Sequence, residues 1–378
     1  MTAMICGFGG AVPAGSISVQ EAANFAIRTS AMPAEMNRKV KALYRKTGIS
    51  QRGSVLIDRR LSAEDGFQSF YPIAKNPNDR GPSTSDRLAR FQTEAPKLAS
   101  QAASQALAAC GFPRGSFTHL ITVTCTGFYA PGLEIDLIQS LSLPPQIERI
   151  QVGFMGCHAS INAFRVAQAL CESDPSRKVL VCCVELCSLH YQYGTDTDSI
   201  VSNAIFADGA AAIAVTGENH DTDRLDPDNH RERTDIQTLG VIAATGSTLV
   251  PQSTDAMTWR IGDHGFSMTL SAEVPSLLRS QLNDYITPWL RQHGLSVSQV
   301  KGWAVHPGGS RILDAVEQSL DLSQAQISSS RLVLNEHGNM SSATLPFILN
   351  KLSIERVAKP WVMLGFGPGL EIEMALIR

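Results

Sequence analysis

Apolar and polar positions along this chain alternate with two different periods. FTHLITVTCTG, ERIQVGFMG, KVLVCCVEL and AAAIAV are short runs dominated by apolar residues, and each predicts a strand. Between them, EAPKLASQAASQALAACG and CHASINAFRVAQALCE repeat apolar residues three and four positions apart, the period of a helix buried along one face. Alternation of the two patterns predicts an α/β protein. The opening segment, MTAMICGFGGAVPAGS, is apolar but carries no positive residues ahead of its apolar run. It reads as a first strand and loop rather than a signal peptide. A polar, charge-rich stretch, TGENHDTDRLDPDNHRERTD (216–235), interrupts the pattern as a linker or exposed hairpin. It divides the chain into halves 1–225 and 226–378.

The two halves share a layout. In the first, ERIQVGFMG leads to Cys157 and a helix, and the half closes on IFADGAAAIAV. In the second, RLVLNEHGN reads as a strand leading to Asn339 and the helix MSSATLPFILNKLSIE, and the chain closes on WVMLGFGPGLEIEMALI. Each half sets a polar residue where a strand meets a helix and ends with a glycine-rich segment beside an apolar strand. This suggests an internal duplication with a period near 180 residues.

Composition narrows the class further. The 378 residues suffice for two domains or one double-size unit, and 43% hydrophobic with 18% charged residues is ordinary for a globular protein. A net charge of −3 gives no general pull toward nucleic acid or an anionic membrane. No run of 18 apolar residues predicts a membrane span. The eight cysteines are scattered through apolar segments, which suits reduced thiols in a cytoplasm better than a disulfide framework. Cys182 and Cys183 are neighbours on a predicted strand and would point to opposite faces, which argues against a zinc site with Cys187.

Candidate chemistry begins at Cys157. A thiol at a helix start meets unpaired N–H groups and the helix dipole, which lower its pKa, and a nearby imidazolium lowers it further. The plainer alternative is a buried structural thiol. His306, in KGWAVHPGGSRILDAVE, follows an apolar strand and precedes a helix, the end of an α/β sheet where sites collect. Its plainer alternative is a solvated turn histidine. Asn339 is either a helix N-cap or an amide donor for a developing oxyanion. His158 follows Cys157 directly, and neighbours on a helix do not face each other. The three residues, Cys157, His306 and Asn339, stand 149 and 33 positions apart.

Across nearly its whole length the sequence resembles the type III polyketide synthases, the chalcone synthase-like family of the thiolase superfamily. The resemblance rests on GC at 156–157, IFADGAAA at 205–212, HPGG at 306–309, GNMSSA at 338–343 and GFGPGL at 365–370. It implies a thiolase-like five-layer αβαβα fold from two duplicated halves, active as a homodimer. Cys157 would carry the acyl chain, while His306 and Asn339 would support the thiolate and the enolate from malonyl-CoA decarboxylation. Phe206 matches a gatekeeping aromatic, and Ser341, Cys125 and Thr126 fall on cavity-lining stretches. No metal or dissociable redox cofactor is implied, since coenzyme A arrives and leaves with acyl-CoA and malonyl-CoA.

This sequence also departs from the plant pattern. Met268 stands where plant members carry a second gatekeeping Phe, predicting a softer, wider gate. His190 replaces a small Thr and should narrow the cavity. Ala130 replaces the Met that plant dimers insert into the partner's cavity. At the CoA entrance, MNRKVKALYRKTGISQR (36–52) keeps Lys39 and Lys46 while Ala42 replaces a third cation, for which Lys41 and Arg45 could compensate. Gly308 is a further expected CoA contact. These departures disfavour a chalcone and favour an alkylresorcinol, alkylpyrone or related phenolic product.

Three other readings compete. The chain-initiating β-ketoacyl synthase of fatty acid synthesis shares the Cys-His-Asn set but has His-Gln-Ala-Asn in place of HPGG and lacks GFGPG. A papain-like hydrolase would show a Cys-Gly-Ser-Cys-Trp type signature. A non-catalytic thiolase-fold subunit would typically have lost the nucleophile.

Overall fold

The computed structural model describes residues 2–62, 66–217 and 238–378. The expected boundary at 225/226, with most of the stretch 216–235, lies outside the described residues. Before that gap the chain runs β1 (Ala3–Ala11), β2 (Ser16–Ser18), α1 (Val19–Thr29), α2 (Asn37–Arg45), β3 (Gln51–Gly53), α3 (Thr84–Cys110) and β4 (His119–Thr124). It continues through α4 (Leu133–Leu141), β5 (Glu148–Gly153), α5 (Ala159–Ser173), β6 (Lys178–Leu186), α6 (Thr197–Ile205) and β7 (Asp208–Thr216). After it come β8 (Gly240–Leu249), β9 (Met257–Gly262), β10 (Gly265–Leu270), α7 (Val274–Gln292), β11 (Gly302–Val305) and α8 (Ser310–Leu320). The chain ends with α9 (Ser328–His337), α10 (Thr344–Ile354), β12 (Trp361–Gly367) and β13 (Glu371–Ile377).

Among the described residues the main strands join in one nine-stranded sheet, ordered β11-β12-β13-β8-β1-β7-β6-β4-β5. Its two wings repeat one another. From the centre outward, β1-β7-β6-β4 pair antiparallel, antiparallel, parallel, and β8-β13-β12-β11 pair in the same sequence of directions. The wings meet through three residue pairs of β1 and β8, Ala3↔Ile242, Met4↔Val241 and Ile5↔Gly240.

Side chains alternate across each strand, so each wing has two faces to cover. On β6, Leu180, Cys182 and Val184 face α3, whose buried stripe is mostly alanine, while Val179, Val181 and Cys183 face α5. On β12, Val362 and Leu364 face α7 and α8, whereas Trp361 and Met363 share the middle core with α5 and α10. Three cores therefore separate five layers, and α5 and α10 form the middle one. Each fully buried Leu, Ile or Phe in these cores contributes roughly 1.5–3 kcal/mol.

Residues 328–337 correct one expectation: RLVLNEHGN is helix α9, not a strand. Its buried positions are Ser329, Ser330, Val333 and Leu334, a stripe of helical spacing that a short apolar run does not betray. Asn339 therefore follows a helix, while Cys157 follows β5 and His306 follows β11, both as expected.

Candidate active site

The start of α5 is shaped by glycine. Gly156 has φ +81, and a Cβ there would stand 2.5 Å from Pro368 Cδ, so the turn presenting Cys157 fits against the GFGPG segment only without a side chain. Gly367 faces His158 in the same way, its would-be Cβ 2.2 Å from the imidazole Cδ2. His158 is fully buried, hydrogen-bonded from Nδ1 to Asn162 Oδ1 at 2.8 Å, with Nε2 3.0 Å from Glu371. It lines neither cavity described below. With Glu371 and Glu373 it forms the one trio of metal-ligating residue types found among the described residues, and Glu373 is already engaged by Arg165 and Asn162.

Two cavities meet at the nucleophile position. The larger spans about 1120 Å³ including its open mouth, and the smaller about 350 Å³. Cys157, Phe206, Met257 and Met268 line both and so mark the junction. His306, Gly308 and Asn339 lie on the smaller side. Cys125, Thr126, His190 and Ser341 lie on the larger. Ala130 lines neither cavity and is exposed on the loop before α4.

Asn339 is held at three points. Its carbonyl accepts from Ala207 N at 2.8 Å and its N–H donates to Ile205 O at 2.9 Å, and these two bonds make up an isolated parallel bridge between Asn339 and Phe206. Its Oδ1 accepts from Ser341 N at 2.8 Å, which leaves the amide NH2 as the group to donate, and Ser341 and Asn339 both lower the pKa of the Cys157 thiol. Asn339 thus fills both roles weighed for it, capping a turn and offering a donor.

His306 stands at the end of β11, its N–H donating to Leu364 O at 2.7 Å. The ring is buried, and among the described residues neither nitrogen has a hydrogen-bond partner. Burial, with a smaller contribution from His158, drives its pKa down to about 3. Cys157 also departs from expectation. Burial pushes its thiol up to about 12, outweighing the lowering by Ser341 and Asn339, and Glu185 adds to the rise. Burial thus works against charge on both the thiol and the imidazole. An imidazole with two free nitrogens remains available to accept the thiol proton when a substrate arrives.

The basic segment lies beside this site without entering it. Lys39, Lys41, Arg45 and Lys46 are exposed on or just after α2 and line neither cavity. Lys39 Nζ reaches Thr197 Oγ1 at 3.4 Å on α6, the helix that ends at Phe206. Lys46 O accepts from Ser310 Oγ at 3.1 Å, which ties the end of α2 to the HPGG turn.

Several lining residues escaped the sequence reading. Met257, Trp259 and Phe266 belong to the β9–β10 hairpin, as Met268 does. Alternation on β10 puts Phe266 on the face of Met268, and Met268 pairs directly with Trp259, so that hairpin register was the available signal. Cys187 also lines the larger cavity. Glu185 lies fully buried behind it, accepting from Cys125 N at 2.9 Å, Thr126 Oγ1 at 2.8 Å and Ser342 Oγ at 2.5 Å. Burial raises its pKa.

Comparison with known proteins settles the family. Residues 1–219 match the N-terminal domain of chalcone and stilbene synthases, and residues 241–378 match the C-terminal domain. The chain belongs to the chalcone and stilbene synthase family. It is similar to the C-terminal type III polyketide synthase domain of Steely1, a type I/III hybrid from Dictyostelium, at 27% identity and TM-score 0.87, over 100% of this chain and 99% of that one. It is also similar to PKS-I of the brown alga Ectocarpus siliculosus, at 26% identity and TM-score 0.87, over 100% and 98%. The chain is thus a type III polyketide synthase, a condensing enzyme with a thiolase-like fold. Among the described residues no helix is long and apolar enough to cross a membrane.

Proposed function

We propose that this synthase loads an apolar acyl group from acyl-CoA onto Cys157, extends it with malonyl-CoA, and cyclises the product to an alkylresorcinol, alkylpyrone or related phenolic. The observation that carries this reading is the junction at Cys157, which faces His306 and Asn339 on one side and a much larger cavity on the other.

In loading, the Cys157 thiol gives its proton to His306, the sulfur attacks the thioester carbonyl, and coenzyme A leaves as the thiol. In extension, malonyl-CoA loses CO2, and the electrons of the broken C–C bond pass to an enolate oxygen held by donors from His306 and Asn339. The enolate carbon attacks the Cys157 thioester, and Cys157 departs. The lengthened chain then returns to Cys157 for another round or cyclises. Apart from the CoA thioesters no cofactor enters this scheme.

The far end of the larger cavity is lined by Ile17, Ala22, Phe25, Leu56, Ile57 and Tyr71. Such an apolar arm favours a hydrocarbon starter. Ala22 and Phe25 of α1 belong to it. Phe206 and Met268 act as the gate, and Gly308, Lys39 and Lys46 receive coenzyme A. The units are the halves 1–225 and 226–378, working in a cytoplasmic homodimer that brings Ala130 to the partner's cavity. Supporting a dimer, β5 is a sheet edge whose outer side is unpaired among the described residues, and the nearby Phe128 and Phe154 are exposed.

The test is purified enzyme with malonyl-CoA and a panel of acyl-CoA starters. CO2 release with pyrones or phenols by mass spectrometry is expected, and Cys157→Ala should abolish condensation. If the Ala variant still condenses, the nucleophile is another residue.

A further inference from the structure

The β9–β10 hairpin pairs only with itself among the described residues and takes no part in the nine-stranded sheet. Yet it supplies Met257, Trp259, Phe266 and Met268 to the cavity wall. Something other than sheet hydrogen bonds must hold that wall in register, because a lone two-stranded hairpin is marginally stable.

Three side chains help to do so at the cavity. His190 lies between the hairpin and the loop after β4. Its Nδ1 is 3.0 Å from the N–H of Phe266, and its Nε2 is 2.7 Å from the carbonyl of Thr126. The first partner can only donate and the second can only accept. The ring is therefore the neutral tautomer with its proton on Nε2, and both nitrogens are satisfied. The same ring stacks on Phe266 with centroids 4.1 Å apart and planes 12° apart, and meets the edge of Trp259 at 5.7 Å. Trp259 makes the second tie, donating from Nε1 to Cys125 O at 2.8 Å. Gln192, two residues on from His190, donates to the carbonyls of both Phe266 and His190 at 3.0 Å.

We infer that His190 is a positioning residue that latches the β9–β10 hairpin to the Cys125–Thr126 loop, so that its hydrogen bonds, and not its bulk alone, fix the cavity wall and with it the choice of starter. The wall is then set by one imidazole that can be bridged in only one way. Without it, the hairpin would keep Trp259, Gln192 and the bond from Gly369 N to Met257 O at the cavity, and Thr84 with Gly262, Asp263 and Gly265 and His264 with Gly81 at its far turn. The stretch around Phe266 and Met268 would lose its bond to the Thr126 loop, and a wall looser there would admit starters of more varied length.

The consequence for starters rests on the reaction proposed above, but the latch itself is read without any turnover. His190→Phe keeps a stacked ring and removes both hydrogen bonds, whereas His190→Gln keeps an amide donor and acceptor without the ring. Hydrogen–deuterium exchange of the full-length enzyme should show residues 257–270 exchanging roughly tenfold faster or more in the Phe variant, with the nine-stranded sheet unchanged. The Gln variant should recover part of the protection. In steady-state assays, kcat/KM for a long-chain over a short-chain acyl-CoA should change roughly tenfold in the Phe variant, a split that general loosening would not produce. Unchanged exchange over 257–270 overturns the latch whatever the assays show. Faster exchange with an unchanged starter ratio overturns its role in selectivity. If the Phe variant does not fold, Trp259→Phe, which removes the second tie alone, is judged by the same two readings.

Discussion

Two buried histidines flank the same cavity system, and they are built in opposite ways. His306 has no hydrogen-bond partner for either ring nitrogen among the described residues, whereas His190 has one for each. Both are fully enclosed, and burial drives both pKa values down to about 3. Burial and pKa therefore do not tell the reactive imidazole from the structural one. The difference lies in what the lone pairs and protons already hold. A satisfied ring fastens two segments together, while an unsatisfied ring keeps its hydrogen-bonding capacity for a substrate, at a standing cost to stability.

The contrast is broken most sharply by replacing each ring with leucine. His306→Leu should lower condensation by roughly 10²–10⁴-fold while leaving thermal stability unchanged or raising it by about 1 kcal/mol. A large loss of stability in that variant would mean that the ring is structurally bound after all. Next in size, Gly156→Ala forces a Cβ against Pro368 in a left-handed backbone and should displace Cys157, costing on the order of 10²-fold in turnover. Acyl loading followed by intact-protein mass spectrometry reads that displacement directly. His190→Leu should do the reverse of His306→Leu, destabilising by about 2 kcal/mol or more in denaturant titration, because Thr126 O and Phe266 N–H lose their partner.

The last effect is in pH. Both histidines bind fewer protons folded than unfolded between their ordinary pKa of 6.5 and about 3. Their contribution to stability is intact above 6.5 and is lost as pH falls toward 3. Asp208, whose pKa burial raises to about 6, works in the opposite sense between 3.8 and 6. The clean measurement is thus a difference: stability against pH should fall less steeply toward acid in either Leu variant than in the wild type. Parallel curves would show that the ring in question is not neutral in the fold.

How much of this was legible in the sequence follows from where the information sits. Most strands around the nucleophile, and the GC, HPGG, GNMSSA and GFGPG motifs, could be read locally, because each is a contiguous run with its own turn chemistry. The path into Asn339 was misread, since RLVLNE carries too few residues to separate a strand from one buried helical stripe. The shift of the Cys157 thiol runs against the helix-start argument for a different reason. The helix-start argument counts nearby dipoles, whereas the thiol answers first to complete burial, which no single segment determines. Trp259 could have been reached through the local register of the hairpin, but its bond to Cys125 and the latch through His190 were invisible because they join residues 64 to 134 positions apart.

The bridge between Phe206 and Asn339 bears on how this scaffold could diversify. The residues on either side of the gate, Ile205 and Ala207, hold the backbone of the amide donor, so any change at Phe206 that moves its own backbone would shift the donor as well, and turnover would suffer with specificity. Among the described residues the hairpin makes no backbone hydrogen bond to His306 or Asn339, although Met257 and Met268 line the cavity beside them. Mutational libraries at Trp259 and Phe266, which line the larger cavity alone, can therefore search new product ranges with the least disturbance of the reacting centre, and drift in product spectrum among relatives should concentrate there.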